Sequence, residues 1–289
     1  MSKGVLYVGT GERFFDEAVE SAESLRETND FPASILTTPK LKDKKETSLF
    51  DDVITIDAYD DLRDKIYNLN KTPYDKTLYL DGDTLILGDI SPVFDLLDRV
   101  EIAAAFATGR DIIGTEEIPD ALPELNTGVV AYKSASDNVD NFFSLWKELQ
   151  IDQIKNGNLE ELTSFGNLYG QTTFREALYR SDVAFSILPP EYNFGTFGRG
   201  FAKYEVKILH ATNRKWLEPI INEELGDRAV VGNYIRYPYK GKKKRFRGLP
   251  VIDIFEKKLP VKPITDRLGV TKQLRNARDE LSELYASHR

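Results

Sequence analysis

The sequence predicts an α/β fold: a mixed, mostly parallel sheet flanked by helices, followed by a C-terminal helical appendage. Three observations predict it. Short apolar runs rich in β-branched and aromatic residues recur along the first two thirds of the chain. Longer stretches with apolar residues three and four apart separate them. The polar motifs fall just after the apolar runs, where ligands bind in open α/β sheets.

The elements follow in order. Val5-Leu6-Tyr7-Val8 is the first strand. A helix from about Phe14 to Glu27 carries Phe15, Ala18, Val19, Ala22 and Leu25 on one face. Strands are expected at Ser34–Thr37 and Val53–Ile56, then a helix around Leu62–Leu69, then Thr77-Leu78-Tyr79-Leu80. Further strands are expected at Ile102–Phe106, Gly128–Tyr132, Val183–Leu188 and Val206–His210. Helices fill Val139–Leu149, Gln171–Tyr179 and Pro219–Leu225. From about Arg236 the character changes, which divides the chain into a domain over residues 1–235 and an appendage over 236–289. The appendage opens on the basic run of Tyr239–Arg247. It ends in a helix whose Val270, Leu274, Ala277, Leu281 and Leu284 run close to a heptad seam.

Composition narrows the functions. Charged residues make up 30% of the chain, but aromatics at 11% indicate a folded core. The absence of cysteine excludes disulfides, zinc–thiolate sites and thiol nucleophiles. A net charge of −8 argues against general nucleic-acid binding, which depends on neutralising phosphates. No stretch approaches the roughly 18 apolar residues of a membrane span. The opening residues enter a strand without the apolar segment of a signal peptide, so a cytoplasmic location is expected.

Tyr79-Leu80-Asp81-Gly82-Asp83-Thr84 carries most of the chemistry. An apolar strand delivers two carboxylates one residue apart. In extended chain, positions i and i+2 point to one side, and two hard oxygen ligands on one side suit Mn²⁺ or Mg²⁺. The bland alternative is a turn after a strand, since Asp and Gly favour turns. Haloacid-dehalogenase phosphatases also place Asp-x-Asp after an apolar strand. Their Thr or Val two residues beyond the second Asp is Leu85 here, and Asp81 comes after several strands instead of opening the domain.

With these residues in place, the chain resembles the GT-A glycosyltransferases of the glycogenin and lipopolysaccharide galactosyltransferase group, a family-8-like pattern spanning roughly residues 1–225. The resemblance rests on VLYVGTGERF, Arg63-Asp64-Lys65, YLDGDTLILGDISPVFDLL, Asn126-Thr127-Gly128-Val129-Val130, ILPPEYNF and ILHATNRKW. It implies that Thr10 contacts the base, that Arg63 faces the donor, and that Lys65 adds positive charge near the departing diphosphate. Asp81, Asp83 and His210 would hold the metal, Asn126 the donor sugar and Lys215 the diphosphate. Gln171 would lie near the anomeric carbon. The chain departs from the family at Ala107, where an Asp is frequent, and at Gly170-Gln171-Thr172, where the family has Asp-Gln-Asp. It also has Asn213 in place of a Gly and lacks the Pro before Trp216.

Each side chain also has a plainer reading. A lone His ending a strand is commonly structural, Lys is commonly solvated, and Asn before a near Gly is a turn signal. Arg63 has local partners in Asp60 and Asp64. Gly9-Thr10-Gly11-Glu12-Arg13 lacks the Lys-Ser/Thr ending of a phosphate loop. Its glycines are too few for the loop of sugar-1-phosphate nucleotidyltransferases, which remains an alternative, as does a non-catalytic nucleotide-sugar or glycan binding protein. The run Lys240–Arg247 is read as a solvated loop, with peripheral contact to an anionic membrane or acceptor as the alternative. The last helix packs back on the domain, with self-association into a homodimer as the second reading. The expected activity is transfer of a hexose from a UDP-linked donor to a glycan, lipid or protein acceptor.

Overall fold

The structure, a computed structural model, describes residues 1–59, 63–107, 117–156, 170–195, 201–202, 204–210 and 230–231. Lys215, the helix expected at Pro219–Leu225, the basic run and the C-terminal helix lie outside the described residues. Membrane contact, a homodimer and an appendage over 236–289 therefore stay as expectations. No helix among the described residues is long and apolar enough to cross a membrane.

The elements are β1 (Lys3–Gly9), α1 (Glu12–Thr28), β2 (Ala33–Thr37), β3 (Asp52–Thr55), α2 (Arg63–Asn68), β4 (Lys76–Leu80), β5 (Thr84–Ile86), α3 (Ser91–Leu96), β6 (Ile102–Phe106) and β7 (Leu125–Lys133). They continue with α4 (Asp137–Asn156), α5 (Gln171–Arg180), β8 (Phe185–Leu188), β9 (Phe194–Gly195), β10 (Phe201–Ala202) and β11 (Ile208–His210). The main sheet runs in the order β3-β2-β1-β4-β7-β6-β8. It is parallel except at β7, which lies antiparallel to both β4 and β6. A smaller sheet, β5-β11-β9, sits beside it.

Strand alternation builds the two sides of the core. Val5, Tyr7, Leu78, Leu80, Val129 and Ala131 turn to one face, where they meet Phe15, Ala18, Ala22 and Leu25 of α1. Leu6, Tyr79, Val130 and Tyr132 turn to the other. There Phe142, Phe143 and Trp146 of α4 and Phe174 of α5 form an aromatic cluster, with Trp146 and Phe174 edge-on at 4.8 Å. The period-2 pattern of the strands and the 3.6-residue pattern of the helices thus bury one continuous stripe each.

Sequence reading missed β5, α3, β9 and β10. Each is short, and Thr84–Ile86 lacks the length that separates a strand from an apolar loop. It also expected the Asp81-Gly82-Asp83 pair to continue an extended chain. The chain instead leaves β4 at Leu80, turns and enters β5 of the second sheet. The Thr84 amide closes the turn onto the Asp81 carbonyl at 3.2 Å.

Candidate functional site

Asp81 hangs from the carboxyl end of β4, a central strand. Its backbone amide donates to the Gly128 carbonyl of β7 at 2.7 Å, which fixes the position of the carboxylate. Asp83 follows on the turn, and His210 ends β11, whose register pairs it with Thr84. The small sheet therefore carries the histidine back to the two carboxylates, 127 positions away in sequence from Asp83 (210 − 83). His210 Nε2 lies 3.3 Å from Asp83 Oδ1 and 3.7 Å from Asp81 Oδ2. One donor atom from each residue falls within 4.8 Å of the others.

Two glycines permit this approach. A Cβ on Gly128 would stand 2.0 Å from His210 Cε1 and 2.9 Å from Asp81 Oδ2, so a side chain there would occupy the space where ring and carboxylate converge. A Cβ on Gly82 would meet the Ala18 amide nitrogen at 2.9 Å, so the turn lies directly on α1. Close approach, rather than backbone freedom, is what position 82 requires.

The electrostatics favour a cation. Lys65 is buried and donates to both oxygens of Asp81, at 2.9 and 3.0 Å, and to the Thr127 carbonyl at 3.2 Å. The Tyr79 hydroxyl donates to Asp81 Oδ1 as well. Burial first, and then the neighbouring Asp81 charge, pushes the Tyr79 phenol well above its usual range, so it stays a donor. Burial works against ionising Asp83, but the hydrogen bond and charge of His210, with Lys65 behind, outweigh it and hold the carboxyl low. Burial likewise works against charging His210, and the contact with Asp83 and the field of Asp81 outweigh it and raise the imidazole. Two carboxylates face one buried ammonium, so the cluster keeps net negative charge when the imidazole is neutral. Oxygen and imidazole donors of this charge fit a divalent ion of the Mn²⁺ or Mg²⁺ kind.

A row of amide side chains leads away from His210. Its Nδ1 is 2.8 Å from Asn193 Oδ1. Asn193 Nδ2 donates to Asn126 Oδ1 at 2.9 Å, Asn126 Nδ2 to Gln171 Oε1 at 2.9 Å, and Gln171 Nε2 to Glu124 Oε1 at 3.1 Å. The structure thus brings Lys65, Asp81, Asp83, Asn126, Gln171 and His210 into one region. Asn126 stands on a bulged stretch of β7. Pairing with β6 passes from Ala104↔Val130 to Phe106↔Leu125, so five steps on β7 oppose two on β6 (130 − 125 and 106 − 104). Bulges of this kind re-aim side chains beside functional sites.

Thr10 and Arg63 take other partners. The buried Thr10 hydroxyl donates to Asp64 at 2.7 Å, and Asp64 also accepts the Tyr59 amide at 2.8 Å. Asp64 is thereby committed to Thr10 and Tyr59, and the Arg63 guanidinium lies over the Tyr59 ring at 4.8 Å. Ala107 is buried and brings no carboxylate. Gly170 opens α5 with φ +73°, where its Cβ would meet Ile66 Cδ1 at 2.5 Å, so the family's Asp has no room in this packing.

Glu124 and Asn193 went unnoticed in the sequence. The signal for Glu124 is an acidic residue between Pro123 and an apolar strand. Asn193 sits inside the ILPPEYNF segment, but nothing in that stretch marks its amide as facing a histidine.

Comparison with known proteins bears on the fold. No family model matches the chain. Over 186 residues it is 27% identical to glycogenin-1 of Oryctolagus cuniculus, covering 56% of this chain and 51% of the relative. The fold is that of the GT-A glycosyltransferases. The glycosyltransferase GlyE of Streptococcus pneumoniae TIGR4 superposes with a TM-score of 0.54 at 17% identity, over 77% of this chain and 60% of that one. Mouse xyloside xylosyltransferase 1 gives 0.51 at 15% identity, over 73% and 98%. The chain spans about half, 51%, of the length of the glycogenin-1 it matches.

Proposed function

We propose that the chain is a metal-dependent glycosyltransferase that moves a hexose from a nucleotide sugar, UDP-linked, to a glycan, lipid or protein acceptor with retention of configuration. The observation that carries this reading is the convergence of Asp81, Asp83 and His210 at the end of β4, on a fold shared with glycosyltransferases. Asp81, Asp83 and His210 would hold Mn²⁺ or Mg²⁺. Bound there, the ion would neutralise the diphosphate and stabilise the charge that grows on it as the glycosidic bond breaks.

The chain's own residues then have distinct tasks. Lys65 and Tyr79 hold the Asp81 carboxylate in one orientation, so no reorganisation is needed when donor binds. Lys215 is assigned to the diphosphate, Thr10 to the base and Arg63 to the donor. Asn126 and Gln171 offer amides to donor-sugar hydroxyls. Glu124 supplies, through Gln171, a carboxylate in the region where Gly170 and Thr172 replace the family's acids. An amide such as Gln171 cannot act as a base, so its role is positional.

A non-catalytic nucleotide-sugar binder is the second reading, favoured by the missing acids at positions 170 and 172. Calorimetric titration of UDP with Mn²⁺, then with EDTA, and again on Asp83→Ala, tests the site. Binding that needs metal and disappears in the variant is expected. Slow release of UDP from UDP-sugars without acceptor is expected of the enzyme, and a binder would leave the donor intact. Absence of UDP binding with and without Mn²⁺ would end the proposal.

A further inference from the structure

His210 is the residue of the metal cluster with two chemically distinct faces, and which ring nitrogen carries the proton decides whether it is a ligand. Hydrogen-bond direction settles the Nδ1 side without reference to how the amide atoms are labelled. The Gly128 backbone N–H is a donor alone, and it meets an atom of the Asn126 amide at 2.8 Å. That atom must be the oxygen, Oδ1. The Asn193 atom that also touches it, at 2.9 Å, must then be a donor, Nδ2. Asn193 is left with its oxygen facing His210 Nδ1 at 2.8 Å, and an oxygen there requires Nδ1–H. With the Nδ1 proton held by Asn193, Nε2 is the nitrogen that faces Asp81 and Asp83; it donates to Asp83 while the ring is charged, and it is the nitrogen that gives up its proton to a cation.

The far end of the row has the same polarity. Asn126 Nδ2 faces the Gln171 oxygen, so the Gln171 nitrogen faces Glu124 Oε1 and donates to it. One donor-only group, the Gly128 amide, thus imposes one direction on three amide side chains. Asn193 is buried, as is Glu124, so water does not easily replace either contact.

We propose that Asn193 is a positioning residue that locks His210 in the Nδ1–H tautomer, with Nε2 presented to a divalent cation, and that Asn126, Gln171 and Glu124 fix the direction of the lock. The proposal rests on the metal reading above. Outer partners of metal-bound imidazoles govern metal affinity, at about 10–100-fold per contact. The row also runs from the metal ligand to the amides assigned to the donor sugar. Sugar binding that pulls on Asn126 or Gln171 would therefore be felt at His210.

The chain has two histidines, His210 and His288, so nitrogen NMR of labelled histidine resolves both rings. The test uses metal-free wild type at a pH where the rings are neutral, followed by Mn²⁺ titration, with Asn193→Asp and Asn193→Leu alongside. Wild type is expected to carry its His210 proton on Nδ1. Asn193→Asp retains an acceptor and should retain that tautomer. Asn193→Leu should give a mixture and weaken Mn²⁺ about 10-fold or more. A wild-type His210 protonated on Nε2 would overturn the proposal, and this readout needs no variant to fold. So would an Asn193→Leu protein with unchanged tautomer and unchanged Mn²⁺ affinity. If wild type shows the Nδ1–H tautomer but Mn²⁺ binding does not depend on Asp83, the metal reading fails instead.

Discussion

Asp83 and His210 pull each other's titration in opposite directions, and this makes the metal-free site sensitive to pH. The Asp83 carboxyl is held below its ordinary value of 3.8, against burial, chiefly by His210. Its stabilising contribution is therefore full above that value and is lost as pH falls through the lowered one. The His210 ring is raised above its ordinary 6.5, against burial, chiefly by Asp83. Its contribution is full below 6.5 and is lost as pH rises through the raised value. The stability difference between metal-free wild type and Asp83→Asn should be largest between about pH 4 and 6.5 and shrink on either side. Urea denaturation across that range checks it, and a flat difference would show that the pair carries no coupling. On the proposed metal reading a bound ion would displace the imidazole proton, so Mn²⁺ affinity should rise by up to about tenfold per pH unit until pH passes the raised His210 value. Calorimetry at several pH values reads this, and an affinity that falls with pH would exclude His210 as a ligand.

At the scale of elements, the junctions matter more than the elements. β4 ends at Leu80 and the chain turns into β5 of a different sheet, and that corner holds both carboxylates. β11 returns to pair with β5 and brings the histidine. The bulge on β7 aims Asn126, and α5 starts on Gly170 in the left-handed region so that Gln171 opens the helix toward Asn126. Gly170→Ala combines about 1–3 kcal/mol of left-handed strain with a 2.5 Å clash against Ile66. The variant should unfold at lower urea with an unchanged slope, and an unchanged midpoint would refute the strain. Gly128→Ala should act differently. Its Cβ would fall 2.0 Å from the His210 ring, so the expected loss is Mn²⁺ binding, measured by titration, with the ring displaced. Strong metal binding in a folded Gly128→Ala protein would show that the ring adapts or is not needed.

For the whole molecule, the proposed division is a site-bearing domain over residues 1–235 and an appendage beyond it. Deleting the residues after Lys262 should leave Mn²⁺ and UDP affinity intact by calorimetry, and loss of UDP affinity would show that the appendage belongs to the site. The sequence by itself determined the α/β class, because strand and helix periodicities separate cleanly in segments such as Val5–Val8 and Phe14–Glu27. It also marked Asp81, Asp83 and His210, because charged and imidazole groups ending apolar strands stand out against their neighbours. Tertiary structure decided the rest. That β7 runs antiparallel inside a parallel sheet follows from pairing across distant segments, and a strand's own pattern does not encode direction. That Lys65 is buried on Asp81, that Thr10 binds Asp64, and that Glu124 and Asn193 close a directed row of hydrogen bonds depend on side chains far apart in sequence. Residue type and local spacing report what a side chain is able to do, whereas its partner is set by the meeting of elements, and a hydrogen bond acquires its direction only once both ends are in place.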